Sequence, residues 1–127
     1  MAKIVLPHDH GTPTQRCLDK IPTKPIFDET ADTLGILGDP TRIKILWFLC
    51  HSEECVANIA AVMGMSSPAV SHHLKVLKQA GILTSRKAGK EVYYTLSSTE
   101  YAGLVHHIVD IAVDYKCKER EQNEKDL

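Results

Sequence analysis

Between Cys55 and Lys90 the apolar residues change period, from two short helical patterns to an alternating one. Val56, Ile59, Ala60 and Met63 recur at the spacing of one helix face over about Glu54 to Met63. Gly64-Met65 breaks that helix. Ser66-Ser67-Pro68 then caps another that runs to about Ala80, with Val70, Leu74 and Leu77 inward and Gly81 as its stop. Two short helices joined by a glycine-containing turn form a helix-turn-helix unit. Beyond it, Ile82 to Lys87 and Glu91 to Leu96 are β-branched and aromatic runs around Ala88-Gly89, the pattern of a hairpin. Its tip carries Arg86, Lys87 and Lys90.

The flanking sequence extends this unit into a mainly α fold with a small β-hairpin, a winged helix-turn-helix of about five helices and a two-stranded wing. Residues 1–25 contain Pro7, Pro13, Pro22 and Pro25 without sustained periodicity, so a flexible, extended N-terminal arm is expected. Phe27, Ala31 and Leu34 share a helix face that ends near Gly38, and Asp39-Pro40 restarts a helix with a cap and a first-turn proline. Ile43, Leu46, Trp47 and Cys50 are its expected inner stripe. After the hairpin, Ser97 to Glu100 fits a capping box with Ser97 as the cap. The last helix carries Tyr101, Leu104, Val105, Ile108, Ile111, Ala112 and Tyr115 as an apolar seam. The domain is expected over residues 26–118, followed by a charged tail over residues 119–127 that frays. With 127 residues this is one domain's worth of chain. No apolar run approaches the ~20 residues that span a bilayer. The N-terminal stretch has no signal-peptide core, so the expected location is cytoplasmic, with no membrane partner.

Charge divides the chain more sharply than its net value of −1 implies. Residues 55–90 hold five basic side chains (Lys75, Lys78, Arg86, Lys87 and Lys90) and no acidic one, whereas the segments on either side are net negative. A solvated surface normally interleaves both signs. An acid-free basic block points instead to phosphates, because counterion release drives nucleic-acid binding. On the second helix of the unit, Ser71, His72, Lys75 and Lys78 face outward, with Ser66 and Ser67 at the N-terminal end. Hydroxyls and imidazole can bond base edges while lysines reach phosphates or guanine. His73 points nearer the buried side and reads as structural. One helix-turn-helix reads half a site, so a homodimer on double-stranded DNA is expected. Its surface would come from Phe27 and Leu34 on the first helix and Leu104, Ile108, Ile111 and Tyr115 on the last.

These residues resemble the ArsR/SmtB family of winged-helix repressors. LGDPTRIKIL with Asp39, Pro40 and Arg42 looks like the family's second-helix signature. Ser66-Ser67 with Val70-Ser71-His72-His73-Leu74 and Leu77 looks like its recognition helix, and Gly81, Gly89-Lys90 and Tyr93-Tyr94 like its wing. The resemblance covers roughly residues 27–116. It implies a homodimeric repressor that leaves its operator when an inducer binds. The inducer in that family is commonly a metal ion, though some members sense persulfide or oxidants.

Two metal positions recur in the family, one between paired terminal helices and one joining third-helix cysteines to the N-terminal arm. At the first, this chain aligns Ser98, Glu100, Ile111 and Asp114, losing two of four ligands. The same helix nevertheless offers His106, His107, Asp110, Asp114 and Cys117 at spacings a metal can bridge. At the second, Cys55 matches, while Ala57 and Asn58 replace the further ligand, so partners would be Cys17, His8 and His10 from the arm. Such a thiolate and imidazole set, the preferred reading, suits zinc, cadmium or copper(I) as a regulatory ligand and not calcium or magnesium. The four cysteines include no CxxC pair and read as thiols in a reducing compartment. A thiol-based redox or persulfide switch using two of Cys17, Cys50, Cys55 and Cys117 is therefore the alternative to metal. Catalysis is not expected, because no phosphate-binding glycine loop, HExxH or GxSxG occurs.

Overall fold

The computed structural model describes residues 4–125, which divide into two compact units at the boundary between Gly35 and Ile36. In the first unit the expected arm is partly ordered. A helix α1 (Thr12–Lys20) starts with a proline in its first turn, although none of its residues is buried. Helix α2 (Lys24–Ile36) follows, and its Phe27 and Leu34 are each about half exposed.

The second unit opens with α3 (Pro40–Leu49), where the Asp39 carboxylate accepts the Arg42 N–H at 3.0 Å. That bond holds the Asp39 pKa below the usual carboxylate value, helped by the nearby Arg42 and His73. The inner face of α3 is Ile45, Leu46 and Leu49, and Trp47 is exposed. The expected stripe through Ile43 and Trp47 is rotated from the observed one, because nearly every residue from 43 to 49 is apolar.

Strand β1 (Glu54–Cys55) leads directly into α4 (Val56–Met63). Gly64 then takes φ 65°, a left-handed conformation that costs a glycine little, and the Met65 N–H bonds back to the Ala60 carbonyl. Ser66 caps α5 (Ser67–Gln79) by accepting from the Ala69 N–H at 3.3 Å. The hairpin comprises β2 (Leu83–Ala88) and β3 (Glu91–Leu96), in register from Leu83 opposite Leu96 to Ala88 opposite Glu91. This leaves a two-residue Gly89-Lys90 turn with Gly89 at φ 62°. β1 adds to β3 through Glu54 opposite Tyr94, so the sheet has three antiparallel strands in the order β1-β3-β2, not two.

Helix α6 (Glu100–Lys125) is capped by Thr99, whose hydroxyl accepts the Ala102 N–H at 3.1 Å, rather than by Ser97. It also continues through the stretch expected to fray. Lys116–Glu119 and Asp114–Lys118 pairs lie along that end, the spacing at which opposite charges support a helix. Val70, Leu74 and Leu77 of α5 meet Ile45, Leu46 and Leu49 of α3, Ile59 of α4, Ile82, Leu83 and Val105 and Val109 of α6 in one core. Among the described residues no helix is long and apolar enough to cross a membrane.

Candidate functional site

With Val70, Leu74 and Leu77 turned into the core, the opposite face of α5 is fixed by helical geometry. Ser66, Ser67, His72, Lys75 and Lys78 are exposed there, and Ser71 is half-buried. Lys87 and Lys90 are exposed on the wing. Lys78 has a structural partner: its ammonium donates to the Ser85 hydroxyl at 2.7 Å, bracing α5 against β2.

Arg86 is committed in a way that counting charges along the chain does not reveal. Its guanidinium donates from Nη2 and Nε to Glu53 Oε1 at 2.6 and 3.0 Å and lies 4.7 Å from the centre of the Tyr93 ring. The hydrogen bond to Arg86 holds the Glu53 pKa down, and the same bond raises that of Arg86. Glu53 stands two residues before the acid-free block and reaches the wing only because β1 pairs with β3. His73 is half-buried with an unbonded Nδ1.

The candidate metal ligands are divided between the two units. Cys17 is exposed in the first, where the His8 and His10 ring centres are 6.2 Å apart, and Cys55 is buried in the second. On α6, His107 is exposed and Asp114 pairs with Lys118 at 3.0 Å. Cys117 lines an open groove with Trp47, His51, Asp110 and Asp114. Among the described residues one group of three or more potential ligands converges, and it is His51, His106 and Asp110. His51 is not among the residues that sequence singles out. It lies just beyond α3, 55 residues before His106, with no motif around it.

Nearby, burial and then the Asp110 charge push the Cys50 thiol up to about 11. At neutral pH it is a protonated thiol, a poor nucleophile.

The exposed apolar residues of α6 form a second surface. The seam read from sequence divides: Ala102, Val105 and Val109 enter the core, while Leu104, Ile111 and Tyr115 stay exposed with Ile108 half-buried between them. Residues 104, 108, 111 and 115 make a stripe along one helix face.

Residues 39–85 match the family model for bacterial regulatory proteins of the arsR family. The chain is 36% identical over 93 residues to the HTH-type transcriptional repressor SmtB of Mycobacterium tuberculosis, covering 73% of this chain and 64% of that protein. It therefore spans just under two thirds of that repressor's length. The fold is similar to the AntR antimony-specific transcriptional repressor, with TM-score 0.69 and 27% identity, covering 79% of this chain and 86% of that one. It is also similar to the homodimeric winged helix-turn-helix DNA-binding domain of Mb0332 from Mycobacterium bovis. There the TM-score is 0.60 and the identity 28%, over 70% of this chain and 82% of that one.

Proposed function

Because this chain belongs to the ArsR family of bacterial regulatory proteins, we propose that it represses transcription as a homodimer on double-stranded operator DNA and is released by a metal ion. The observation that carries the reading is the exposed Ser, His and Lys face of α5 beside the exposed lysines of the wing. A helix presents such a face to the major groove, where short polar side chains meet base edges, and the wing lysines lie on flanking phosphates. The α6 stripe through Leu104 and Ile111 is the dimer surface this reading uses, since a two-fold pair is what reads two half-sites.

A metal is preferred over a thiol switch because AntR is named as antimony-specific. Zinc, cadmium and similar soft or borderline ions are the candidates.

Fluorescence anisotropy on the metal-free, reduced dimer tests the reading, using DNA from upstream of its own gene and a shuffled duplex. The upstream DNA should bind at least about 10³-fold tighter, the lower end for specific recognition. Equal affinity for both duplexes overturns it. Zinc and cadmium should each be tried as the releasing ion, with hydrogen peroxide as the contrast.

The Glu53–Arg86 pair gives a separate expectation. Glu53→Gln should free the guanidinium for a phosphate, raise DNA affinity and steepen the salt dependence by about one. A drop in affinity would mean that the pair positions Arg86 for DNA. Acid should act in the same direction as the substitution. The Glu53 pKa is depressed in the folded chain, so the pair is complete above the ordinary carboxylate value and is lost as pH falls through the depressed one.

A further inference from the structure

We infer that His51, His106 and Asp110 form a zinc site within one chain, tying the end of α3 to the middle of α6. The inference rests on the metal-responsive reading above and assigns it a place. That place differs from both positions the family resemblance implies, since it needs neither the N-terminal arm nor a second chain.

The three donors converge. One ligand atom from each lies within 4.8 Å of the others. His51 Nε2 is 3.5 Å from Asp110 Oδ1, and His106 Nε2 is 2.8 Å from Asp110 Oδ2. Donors bound to one tetrahedral zinc at ~2.0–2.1 Å stand ~3.3 Å apart, so only small side-chain shifts are needed. The His51 and His106 rings are 5.3 Å apart and nearly perpendicular, so each presents an edge and not a stacked face.

Two atoms of the group also lack a hydrogen bond, their close contacts being ion-pair distances to other members of the group. His106 Nε2 and Asp110 Oδ1 are closed off from solvent, yet neither makes a hydrogen bond. Buried polar atoms are bonded as a rule, and an exception calls for an ion, a water or a chemical role. Here both orphans point at the same small space as the exposed His51 imidazole. The His106–Asp110 spacing of four residues places both on one turn of α6, while His51 arrives from α3.

The donor set narrows the ion. Two imidazoles and one carboxylate with an open fourth position are a zinc arrangement, and one that iron(II) also accepts. Calcium and magnesium would require oxygens alone, and copper(I) would require thiolates. The open groove past Trp47 and Cys117 gives the fourth position access to water.

Bound zinc would act on the reading unit through α3, which packs against α4, α5 and α6. Fixing residue 51 against α6 couples the helix that carries the exposed apolar stripe to the support beneath α5. Any ligand that favours one such arrangement shifts DNA affinity by its differential affinity for the two.

The test is a zinc titration of the full, metal-free chain against a chromophoric chelator, repeated with cobalt(II) for its visible absorption. Wild type should bind one zinc per chain. His51→Ala, an exposed position where substitution spares the core, should weaken zinc by more than the roughly 10–100-fold that loss of an outer-shell partner brings. Asp110→Asn, close to isosteric, should do the same and should change the cobalt spectrum. Zinc affinity unchanged in His51→Ala overturns the assignment, and so does affinity lost in Cys55→Ser instead. Circular dichroism of each variant separates ligand loss from unfolding. The DNA assay is read independently. Absent DNA binding by metal-free wild type overturns the repressor reading while the zinc titration still decides the site.

Discussion

Leu74→Ala is expected to destabilise the folded chain by about 2–5 kcal/mol. Leu74 is fully buried on the inner face of α5, in the core that also holds Ile45 and Leu46 of α3 and Ile59 of α4. Truncation removes apolar packing and leaves a cavity that rigid neighbouring helices close only in part. Total stability of a domain is about 5–15 kcal/mol, so this one change would consume a large share of it. The neighbouring residue supplies the contrast. Lys75 is exposed one position along, and Lys75→Ala should alter stability by less than about 0.5 kcal/mol. Urea unfolding followed by far-ultraviolet circular dichroism at one fixed protein concentration measures both, since the proposed dimerisation would make the midpoint concentration-dependent. A Leu74→Ala cost near that of Lys75→Ala would show that α5 is not seated as described.

The second large effect concerns DNA. Replacing Lys75, Lys87 and Lys90 together by alanine should flatten the slope of log affinity against log salt by about 0.9 for each phosphate no longer neutralised, close to three in all. These three lysines are exposed and hold no ion pair among the described residues. Lys78 is left out because it is bound to Ser85, and Arg86 because it is bound to Glu53. Every duplex presents the same phosphates, so the ratio between upstream and shuffled DNA should change little. Replacing His72 should instead reduce that ratio with little effect on the slope. An unaltered slope in the triple variant would place DNA on another face of the molecule.

The reading unit and wing are legible in sequence because each boundary is marked by a residue with a physical reason to be there. Gly64 provides the left-handed turn, Ser66 the cap and Gly89 the hairpin reversal. The inner face of α3 is not legible. A stretch such as residues 43–49, apolar at every position but Lys44, offers little periodic contrast, and which side is buried depends on how α5 and α6 pack against it. The order within residues 12–20 is hidden because prolines read as breakers, although Pro13 sits in the first turn where it is tolerated.

The candidate site shows the same division. His106 and Asp110 share a helix turn and can be found from spacing alone. His51 and Glu53 cannot, because each meets its partners across the fold, 55 and 33 residues away. Both depend on the short passage from α3 into β1, whose pairing with β3 needs only two residues and leaves little periodic signal.

The strand order β1-β3-β2 has one further effect. β3 is paired on both sides, and β1 is only two residues long, so β2 is the one full-length strand whose outer backbone groups lack a neighbour among the described residues. An open strand invites another chain to extend the sheet, and charged residues along it discourage such growth. Arg86 and Lys87 stand on that strand, and Lys90 follows in the turn. Lys87 and Lys90, which the DNA reading gives to phosphate, would then also guard the molecule against self-association through its sheet. A chain stripped of them for the sake of weaker DNA binding should be more prone to aggregate at high concentration, and the guarding role requires positive charge to be retained there even when no DNA is bound.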